Sequence, residues 1–245
     1  MLAVAALPAR AQSARATIER VRAAVVAVGT LQRTRTPPFR FLGSGFAVAD
    51  GRLIATNAHV LPPALAAGNE LERLAVLVPS GDLGSARVLE AVQAAIDEDH
   101  DLALLRINST LPTLALAATD AAAEGDQLLF TGFPLGTVLG PFPVTHRAMI
   151  AAITPIAIPP PTGSGLDPKT VRRLQKGAFA VFQLDATAYP GHSGSPLYDP
   201  ASGEVVGIVN MVFVKGAKES ALSQPSGISY AIPVRHLREL LARAR

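Results

Sequence analysis

Short apolar runs, each ended by turn-forming residues, recur along most of the chain. Residues 25–31 and 205–211 are two such runs, and both are rich in β-branched side chains, which is typical of strands. Helical spacing is limited to a lead-in at 17–24, a C-terminal stretch from Pro233 through Leu241, and one insertion. Strands therefore dominate, and the pattern predicts an all-β sandwich or barrel rather than a parallel α/β sheet.

Further strands are predicted from the same succession of runs and turns. They lie at residues 41–49, 52–56, 74–78, 86–94, 101–107, 125–133, 145–153, 180–184 and 228–231. Gly43-Ser44-Gly45 interrupts the first of them, and glycines within a strand indicate a bulge or the close approach of another backbone. Residues 154–177 are a Pro- and Gly-rich insertion with a predicted helix at 169–176, and this insertion is either a functional loop or a solvated one.

The composition supports one folded domain and narrows its chemistry. The chain has 245 residues, and 49% of them are apolar, which is enough for a substantial core. It has no cysteine, so disulfides, thiolate catalysis and cysteine-bound zinc are excluded. The net charge is +3 without a dense basic tract, which makes nucleic acid a poor partner. No stretch reaches the roughly 18 apolar residues that a membrane-spanning helix needs.

The first residues resemble part of a secretory leader. Residues 1–9 are apolar, and Ala9-Arg10-Ala11 has the small-x-small pattern at which signal peptides are cleaved. We therefore predict a leader remnant at 1–16, a folded domain at 17–245, and export to the periplasm or exterior of a bacterial cell. The alternative is a frayed apolar terminus, because no positive charge precedes the apolar stretch.

The most informative stretch is Gly191-His192-Ser193-Gly194-Ser195-Pro196. The glycines beside Ser193 permit backbone conformations that other residues resist, and they leave room for a reacting carbonyl. Neighbouring N–H groups in such a turn can bind a developing oxyanion. The same residue types are common in ordinary turns, so a catalytic interpretation depends on finding a base and an acid elsewhere.

A base and an acid are present in a suitable order. A serine hydroxyl is a weak nucleophile, and it needs an imidazole base that is itself oriented by a carboxylate. His59 stands at the end of a predicted strand, and Asp101 opens another. With Ser193 they follow the order His, Asp, Ser of the chymotrypsin-type double barrel. Each residue alone also has a structural interpretation, since a histidine can simply end a strand and an aspartate can cap a turn.

Three segments resemble the catalytic motifs of trypsin-like peptidases, in the form used by the HtrA/Deg family. Residues 56–60 (Thr-Asn-Ala-His-Val) are similar to the histidine motif, and residues 101–105 (Asp-Leu-Ala-Leu-Leu) to the aspartate motif. Residues 185–197 are similar to the serine motif. Flanking landmarks match in order at residues 43–46, 132–136 and 230–233. Several motifs in register are more specific than any one of them, and together they cover about residues 18–241.

The resemblance implies a chymotrypsin-like fold of two six-stranded antiparallel β-barrels with the active site in the cleft between them. The N-terminal barrel would span about residues 25–118 and the C-terminal barrel about 124–232, followed by a helix at 233–243. The chain ends after this helix, so we expect no PDZ domain of the kind that many relatives carry.

By position, the resemblance also implies the roles of the site residues. Ser193 would be the nucleophile, His59 the general base and acid, and Asp101 the orienting carboxylate. The N–H groups of Gly191 and Ser193 would form the oxyanion hole, with His192 as a further candidate. The expected reaction is hydrolysis of peptide bonds in proteins, including unfolded ones, through an acyl-enzyme and without a metal or organic cofactor.

Two positions in the serine motif differ from the family pattern. His192 stands where asparagine or aspartate is usual, and Ser195 stands where glycine is usual. Both differences lie in the oxyanion loop, and His192 introduces a titratable group there.

The substrate pocket is predicted from position as well. Trypsin-like enzymes that select basic residues carry an acidic residue six positions before the nucleophile, and Thr187 stands there. The other candidate pocket residues are Ala188, Val209, Asn210 and Met211. A pocket without a carboxylate gives a buried Arg or Lys side chain no partner. We therefore predict cleavage after small or medium apolar residues.

Three other functions remain open at this point. An α/β-hydrolase would use Ser193 in a nucleophile elbow with Asp199 and His236. Against it, Ser195 replaces the last glycine of the elbow, and Asp199 follows the serine too closely. A trypsin fold without activity could serve as a binding or chaperone module. A zinc hydrolase is disfavoured because the five histidines show no ligand pair at helical spacing.

Overall fold

The computed structural model describes residues 9–62, 71–79, 86–134, 140, 142–155, 179–210 and 227–244, with side chains from residue 14 onward. Two α-helices and twelve strands lie in these ranges. They are α1 (Ala9–Ala24), β1 (Val25–Leu31), β2 (Phe39–Val48), β3 (Leu53–Thr56), β4 (Arg73–Pro79), β5 (Ala86–Asp97), β6 (Leu102–Ile107), β7 (Gln127–Gly132), β8 (Val144–Pro155), β9 (Ala180–Asp185), β10 (Pro196–Tyr198), β11 (Val205–Asn210), β12 (Ile228–Pro233) and α2 (Val234–Arg243). The predicted helix at 169–176 and Met211 lie outside the described residues.

The strands form two closed barrels, each built from six strands that are consecutive in the chain. The order around the first barrel is β1-β2-β3-β6-β5-β4, and the order around the second is β10-β11-β12-β9-β8-β7. The pairs of named strands are antiparallel. This confirms the two six-stranded antiparallel barrels that the resemblance implied, and closure protects the sheet edges.

The barrels are joined by an apolar cluster to which both contribute, called the shared core below. In β1, Val26 and Val28 belong to a cluster made of first-barrel residues. Val25 and Ala27 point the other way, into the shared core that also contains Ile208 of the second barrel. Both faces of β1 are therefore buried, which explains why its sequence is a continuous apolar run rather than an alternating one.

Both helices pack on the shared core. Its members include Val21 and Ala24 of α1 and Leu237 and Leu240 of α2, and all four side chains are buried. The first helix begins at Ala9 and not at residue 17, so it continues across the predicted end of the leader. Among the residues that the structure describes, no helix has the length and apolarity needed to cross a membrane.

Gly43 of β2 lies where a loop of the second barrel approaches the strand. A Cβ atom on Gly43 would lie 2.7 Å from the side chain of Val60 and 3.0 Å from the carbonyl oxygen of Ser193. The register of β1 against β2 also shifts between Val28 and Gly29. The predicted close approach at Gly43 is confirmed, and it brings the strand against the loop that carries Ser193.

Candidate active site

Three elements bring polar side chains together at the junction of the two barrels. His59 lies in a 3₁₀ turn, Ala58–Val60, directly after β3. Asp101 ends the turn before β6, and Ser193 lies in the loop between β9 and β10. The Nδ1 atom of His59 is 2.6 Å from Oδ2 of Asp101, and its Nε2 atom is 2.9 Å from Oγ of Ser193. The fold thus joins three side chains that are far apart in the sequence.

The hydrogen-bond partners determine the tautomer of His59. A carboxylate only accepts hydrogen bonds, so Nδ1 of His59 carries a hydrogen and donates it to Asp101. In the neutral imidazole Nε2 is then an acceptor, and it takes the hydrogen of the Ser193 hydroxyl. The side chain of His59 is 28% exposed and that of Asp101 is 10% exposed, and Ser193 is buried. His59 can therefore take the proton of the Ser193 hydroxyl, and its imidazole is accessible to solvent.

The turn that carries Asp101 is fastened to the turn that carries His59. Asp101 has a φ of +54°, in the left-handed region that aspartate tolerates better than most residues. Its carbonyl oxygen accepts the N–H of Ala58 and the side-chain amide of Asn57, each at 3.1 Å. Its Oδ1 atom accepts the backbone N–H of His59 at 2.8 Å. These bonds hold the carboxylate against the imidazole.

Asn210, at the end of β11, completes the surroundings of the acid. Its Nδ2 group donates to Oδ2 of Asp101 at 2.6 Å, and the residue is fully buried. Asn210 is also one of the predicted pocket residues. The structure directs its side-chain amide to the carboxylate in the other barrel. The one signal in the sequence is a polar residue at the end of an apolar strand.

Residues 189–192 form a tight turn directly before the serine. The N–H of His192 donates to the carbonyl oxygen of Tyr189 at 3.0 Å, and Gly191 has a φ of +104°. A positive φ at the third position, after proline at the second, is characteristic of a type II turn. A Cβ atom on Gly191 would lie 2.3 Å from the carbonyl oxygen of Phe133, so both the backbone angle and the space require glycine.

His192 is fully buried beneath this turn. Its Nδ1 atom accepts the N–H of Tyr189 at 2.9 Å, and its ring centroid lies 4.9 Å from that of His146. Burial, assisted by the neighbouring His146, lowers the pKa of His192 to about 3. The imidazole is therefore neutral near pH 7. Because the backbone N–H of His192 is bound by Tyr189, the residue brings neither charge nor amide hydrogen to an oxyanion.

The other predicted pocket residues occupy different surroundings. Thr187 is half-buried, and Ala188 is buried with its N–H donating to Oγ of Ser229 at 3.1 Å. Val209 is fully buried in the core of the second barrel, in the same apolar cluster as Ala188. Ser229, which the sequence does not single out, also donates to the carbonyl oxygen of Ala186 at 2.8 Å and links β12 to this segment.

The residues of the alternative nucleophile elbow are engaged elsewhere. Oδ1 of Asp199 accepts the N–H groups of Ala201 and Ser202 within its own turn, and His236 stacks on His100 with 3.9 Å between ring centroids. The two closed β-barrels also exclude an α/β-hydrolase fold, so that alternative is wrong. Within the described ranges, no group of three or more His, Cys, Asp or Glu residues could hold a metal ion.

Comparisons with known proteins agree with this geometry. Residues 43–208 match the family described as trypsin-like peptidase domain. The chain is 33% identical over 203 residues to the mitochondrial serine protease HTRA2 of Bos taurus, an alignment that covers 82% of this chain and 36% of that protein. It is 32% identical over 198 residues to the serine endoprotease DegS of Escherichia coli strain K12, covering 79% of this chain and 45% of that protein.

A solved structure is similar over nearly the whole chain. The crystal structure of the serine endoprotease from Yersinia pestis aligns with a TM-score of 0.63 and 25% sequence identity, covering 98% of this chain and 68% of that chain. The chain spans less than half the length of the two curated relatives, 36% and 45%. The sequence similarity to them therefore concerns this domain rather than the whole of those proteins.

Proposed function

Because the chain belongs to the trypsin-like peptidase family, we propose that it is a serine endopeptidase that cleaves peptide bonds in proteins, including unfolded ones. One observation carries this function: hydrogen bonds run from Asp101 through His59 to Ser193, with contacts of 2.6 and 2.9 Å. A serine hydroxyl bonded to an oriented imidazole is what acyl transfer requires. Within the family, the chain is similar to the serine protease HTRA2 and the serine endoprotease DegS.

In the proposed reaction, Oγ of Ser193 attacks the carbonyl carbon of the scissile bond while Nε2 of His59 takes the hydroxyl proton. Asp101 stabilises the imidazolium that forms. The tetrahedral oxyanion accepts hydrogen bonds from the N–H groups of Gly191 and Ser193. His59 then protonates the leaving amine, and a water molecule repeats the same steps on the acyl-enzyme. Every proton transfer is assigned to a residue of this chain.

Incubation with unfolded casein tests this function directly. We expect fragments from the wild-type protein and none from Ser193→Ala, and a fluorophosphonate probe should label only the wild type. A binding or chaperone module would give the opposite result, with no fragments, no label, and equal suppression of aggregation by both proteins. Fragments produced at the same rate by Ser193→Ala would also contradict the assignment.

We also infer a preference for small or medium apolar residues on the acyl side of the cleaved bond. Thr187 stands where enzymes that select basic residues carry an acid, and its neighbours Ala186 and Ala188 bring no charge. A peptide library should therefore be cleaved mainly after such apolar residues, and Thr187→Asp should raise cleavage after arginine relative to leucine. A wild-type profile dominated by Arg and Lys would contradict this preference.

We further infer export from the cytoplasm, with a leader at 1–16 and a mature domain from residue 17. The pattern Ala9-Arg10-Ala11 supports cleavage near the start of α1. Such cleavage would leave Val21 and Ala24 in the shared core, so the fold tolerates it. N-terminal sequencing of the protein recovered from the periplasm should begin downstream of residue 11. An intact Met1 on the exported protein would contradict a cleaved leader.

A further inference from the structure

Ser44, in β2 of the first barrel, contacts the loop of the second barrel that carries Ser193. It is fully buried and lies between Gly43 and Gly45, in a motif that the catalytic roles assigned above leave unused. We propose that Ser44 is a positioning residue for the oxyanion hole, an inference that rests on the peptidase function proposed above.

The partners of the Ser44 hydroxyl determine where its single hydrogen points. The N–H of Phe133 donates to Oγ of Ser44 at 2.9 Å, so the hydroxyl is the acceptor in that bond. Its own hydrogen is given to the carbonyl oxygen of Gly191, 2.7 Å away. Both partners belong to the second barrel. Because the hydroxyl both donates and accepts a hydrogen bond, its orientation is fixed.

This bond holds the peptide between Gly191 and His192 from both sides. Its carbonyl oxygen is bound by Ser44, and its N–H is bound by the carbonyl oxygen of Tyr189 at 3.0 Å. A peptide unit is planar, so binding both groups sets the orientation of the plane. Rotation of that plane would change the backbone angles of Gly191, whose N–H is the first proposed oxyanion donor.

The main chain of Ser44 holds the other side of the nucleophile. Its N–H donates to the carbonyl oxygen of Ser193 at 2.8 Å. The second proposed oxyanion donor, the N–H of Ser193, belongs to the peptide that follows His192. That peptide lies between the carbonyl groups of Gly191 and Ser193, and Ser44 binds both of them. Ser44 of the first barrel therefore binds the oxyanion loop on both sides of this peptide.

The contacts continue toward the base. The carbonyl oxygen of Ser44 accepts the hydroxyl of Thr56 at 2.7 Å, and Thr56 is the last residue of β3, just before the turn of His59. The loop also packs closely against β2, since a Cβ atom on Gly194 would lie 2.0 Å from the Ser44 carbonyl oxygen. Loss of the Ser44 hydroxyl should loosen the oxyanion donors while the contact between His59 and Asp101 persists.

The first measurement compares Ser44→Ala with Thr30→Val. Thr30 is also buried, but its hydroxyl bonds to Glu72, outside the Ser193 loop, so its loss is a matched control. For Ser44→Ala we expect kcat to fall roughly tenfold with KM nearly unchanged, a smaller loss than the 10²–10³-fold typical of deleting an oxyanion donor outright. For Thr30→Val we expect a wild-type kcat even where thermal stability falls.

A peptide boronic acid gives a second readout, because its tetrahedral adduct with Ser193 places an oxygen in the oxyanion hole. Its inhibition constant should rise in parallel with the loss of kcat/KM in Ser44→Ala. Active-site titration should count as many working sites in the variant as in the wild type.

Three results would overturn the positioning role of Ser44 alone. These are a wild-type kcat in Ser44→Ala, an unchanged boronate constant, and a fall confined to the number of titrated sites. Absence of turnover by the wild-type protein would instead overturn the peptidase function, and the positioning role with it.

Discussion

Asn210 of the second barrel donates a hydrogen bond to the Asp101 carboxylate of the first barrel at 2.6 Å. His59 donates to the same carboxylate oxygen, also at 2.6 Å. The acid that orients the base is thus held across the junction of the barrels, and the relative position of the two barrels enters the geometry of the site.

Asn210→Ala should lower kcat for a peptide substrate. A hydrogen bond to a charged group contributes about 1.5–3 kcal/mol, and a carboxylate that loses it orients His59 less well, so we expect a roughly tenfold to hundredfold loss. Asn210→Asp nearly keeps the shape of the side chain but sets a second carboxyl group against Asp101, where two like charges oppose each other. At pH 8 it should be less active than the alanine variant, and equal activity would argue against this contact.

Gly194→Ala should destabilise the protein more than Gly125→Ala. The two glycines have similar φ angles, +89° and +94°, so alanine costs about 1–2 kcal/mol at either position from the backbone alone. A Cβ atom at Gly194 would also lie 2.0 Å from the Ser44 carbonyl oxygen, whereas one at Gly125 meets nothing within 4 Å.

In urea unfolding, we expect Gly194→Ala to lose about 1–3 kcal/mol more than the control variant. Peptidase activity should be lost in Gly194→Ala and retained in Gly125→Ala. Equal losses of stability in the two variants would mean that the space around Gly194 is not as tight as the structure has it.

His192 should make the protein sensitive to acid. Burial, with the help of His146, lowers its pKa from 6.5 to about 3 in the folded protein. The unfolded chain therefore binds more protons below pH 6.5, and stability falls as the pH drops from 6.5 toward 3. Between pH 7 and pH 5 this single group should remove about 2 kcal/mol from the free energy of unfolding.

His192→Asn removes this titration and keeps a side chain that can accept a hydrogen bond. The comparison is the change in unfolding free energy between pH 7 and pH 5 within each protein, which cancels any constant packing effect of the substitution. We expect the variant to lose about 2 kcal/mol less than the wild type over this interval. An identical pH dependence in the two proteins would refute a buried neutral His192.

Asp97→Asn should detach the C-terminal helix from the turn that precedes Asp101. Burial opposes ionisation of Asp97, but hydrogen bonds from His100 and Arg243 outweigh it and lower its pKa to about 2. Arg243, the last residue of α2, contacts the carboxylate at 2.6 Å. We expect Asp97→Asn to lose about 1–3 kcal/mol of unfolding free energy.

The exposed pair of Arg15 and Glu19 supplies the control for this measurement. Their side chains are 86% and 66% exposed, so Glu19→Gln should change stability by less than about 0.5 kcal/mol. If Asp97→Asn lowered the free energy of unfolding no more than Glu19→Gln does, the contact with Arg243 would not contribute to stability.

Local pattern is sufficient to predict most strands of this fold. The observed β1 coincides with the predicted run at 25–31, because a run of β-branched apolar residues bounded by polar ones is typical of a strand. In contrast, β10 has three residues, all buried, and begins with proline, so it is too short to show an alternation. Closure into two barrels follows from the family resemblance, since it depends on pairings that periodicity does not specify.

The candidate site, too, can be predicted from the sequence only in part. The order of His59, Asp101 and Ser193 can be read from the sequence, and their motifs carry the resemblance. The contacts of Ser44 and Asn210 cannot, because they join residues 147 and 109 positions apart and leave no local signal. Glycines that flank Ser44 indicate close backbone approach, but only the fold shows which backbone approaches.

The shared core cannot be completed until the second barrel has been translated. The first barrel, which leaves the ribosome first, contributes Val25, Ala27 and Leu104 to this core. Ile208 and Ile232 of the same core lie in β11 and β12, the last strands to be made. At about 5–20 residues per second, the second barrel follows on the order of 5–20 seconds later. During that time the unfinished polypeptide exposes apolar side chains that are buried in the complete fold.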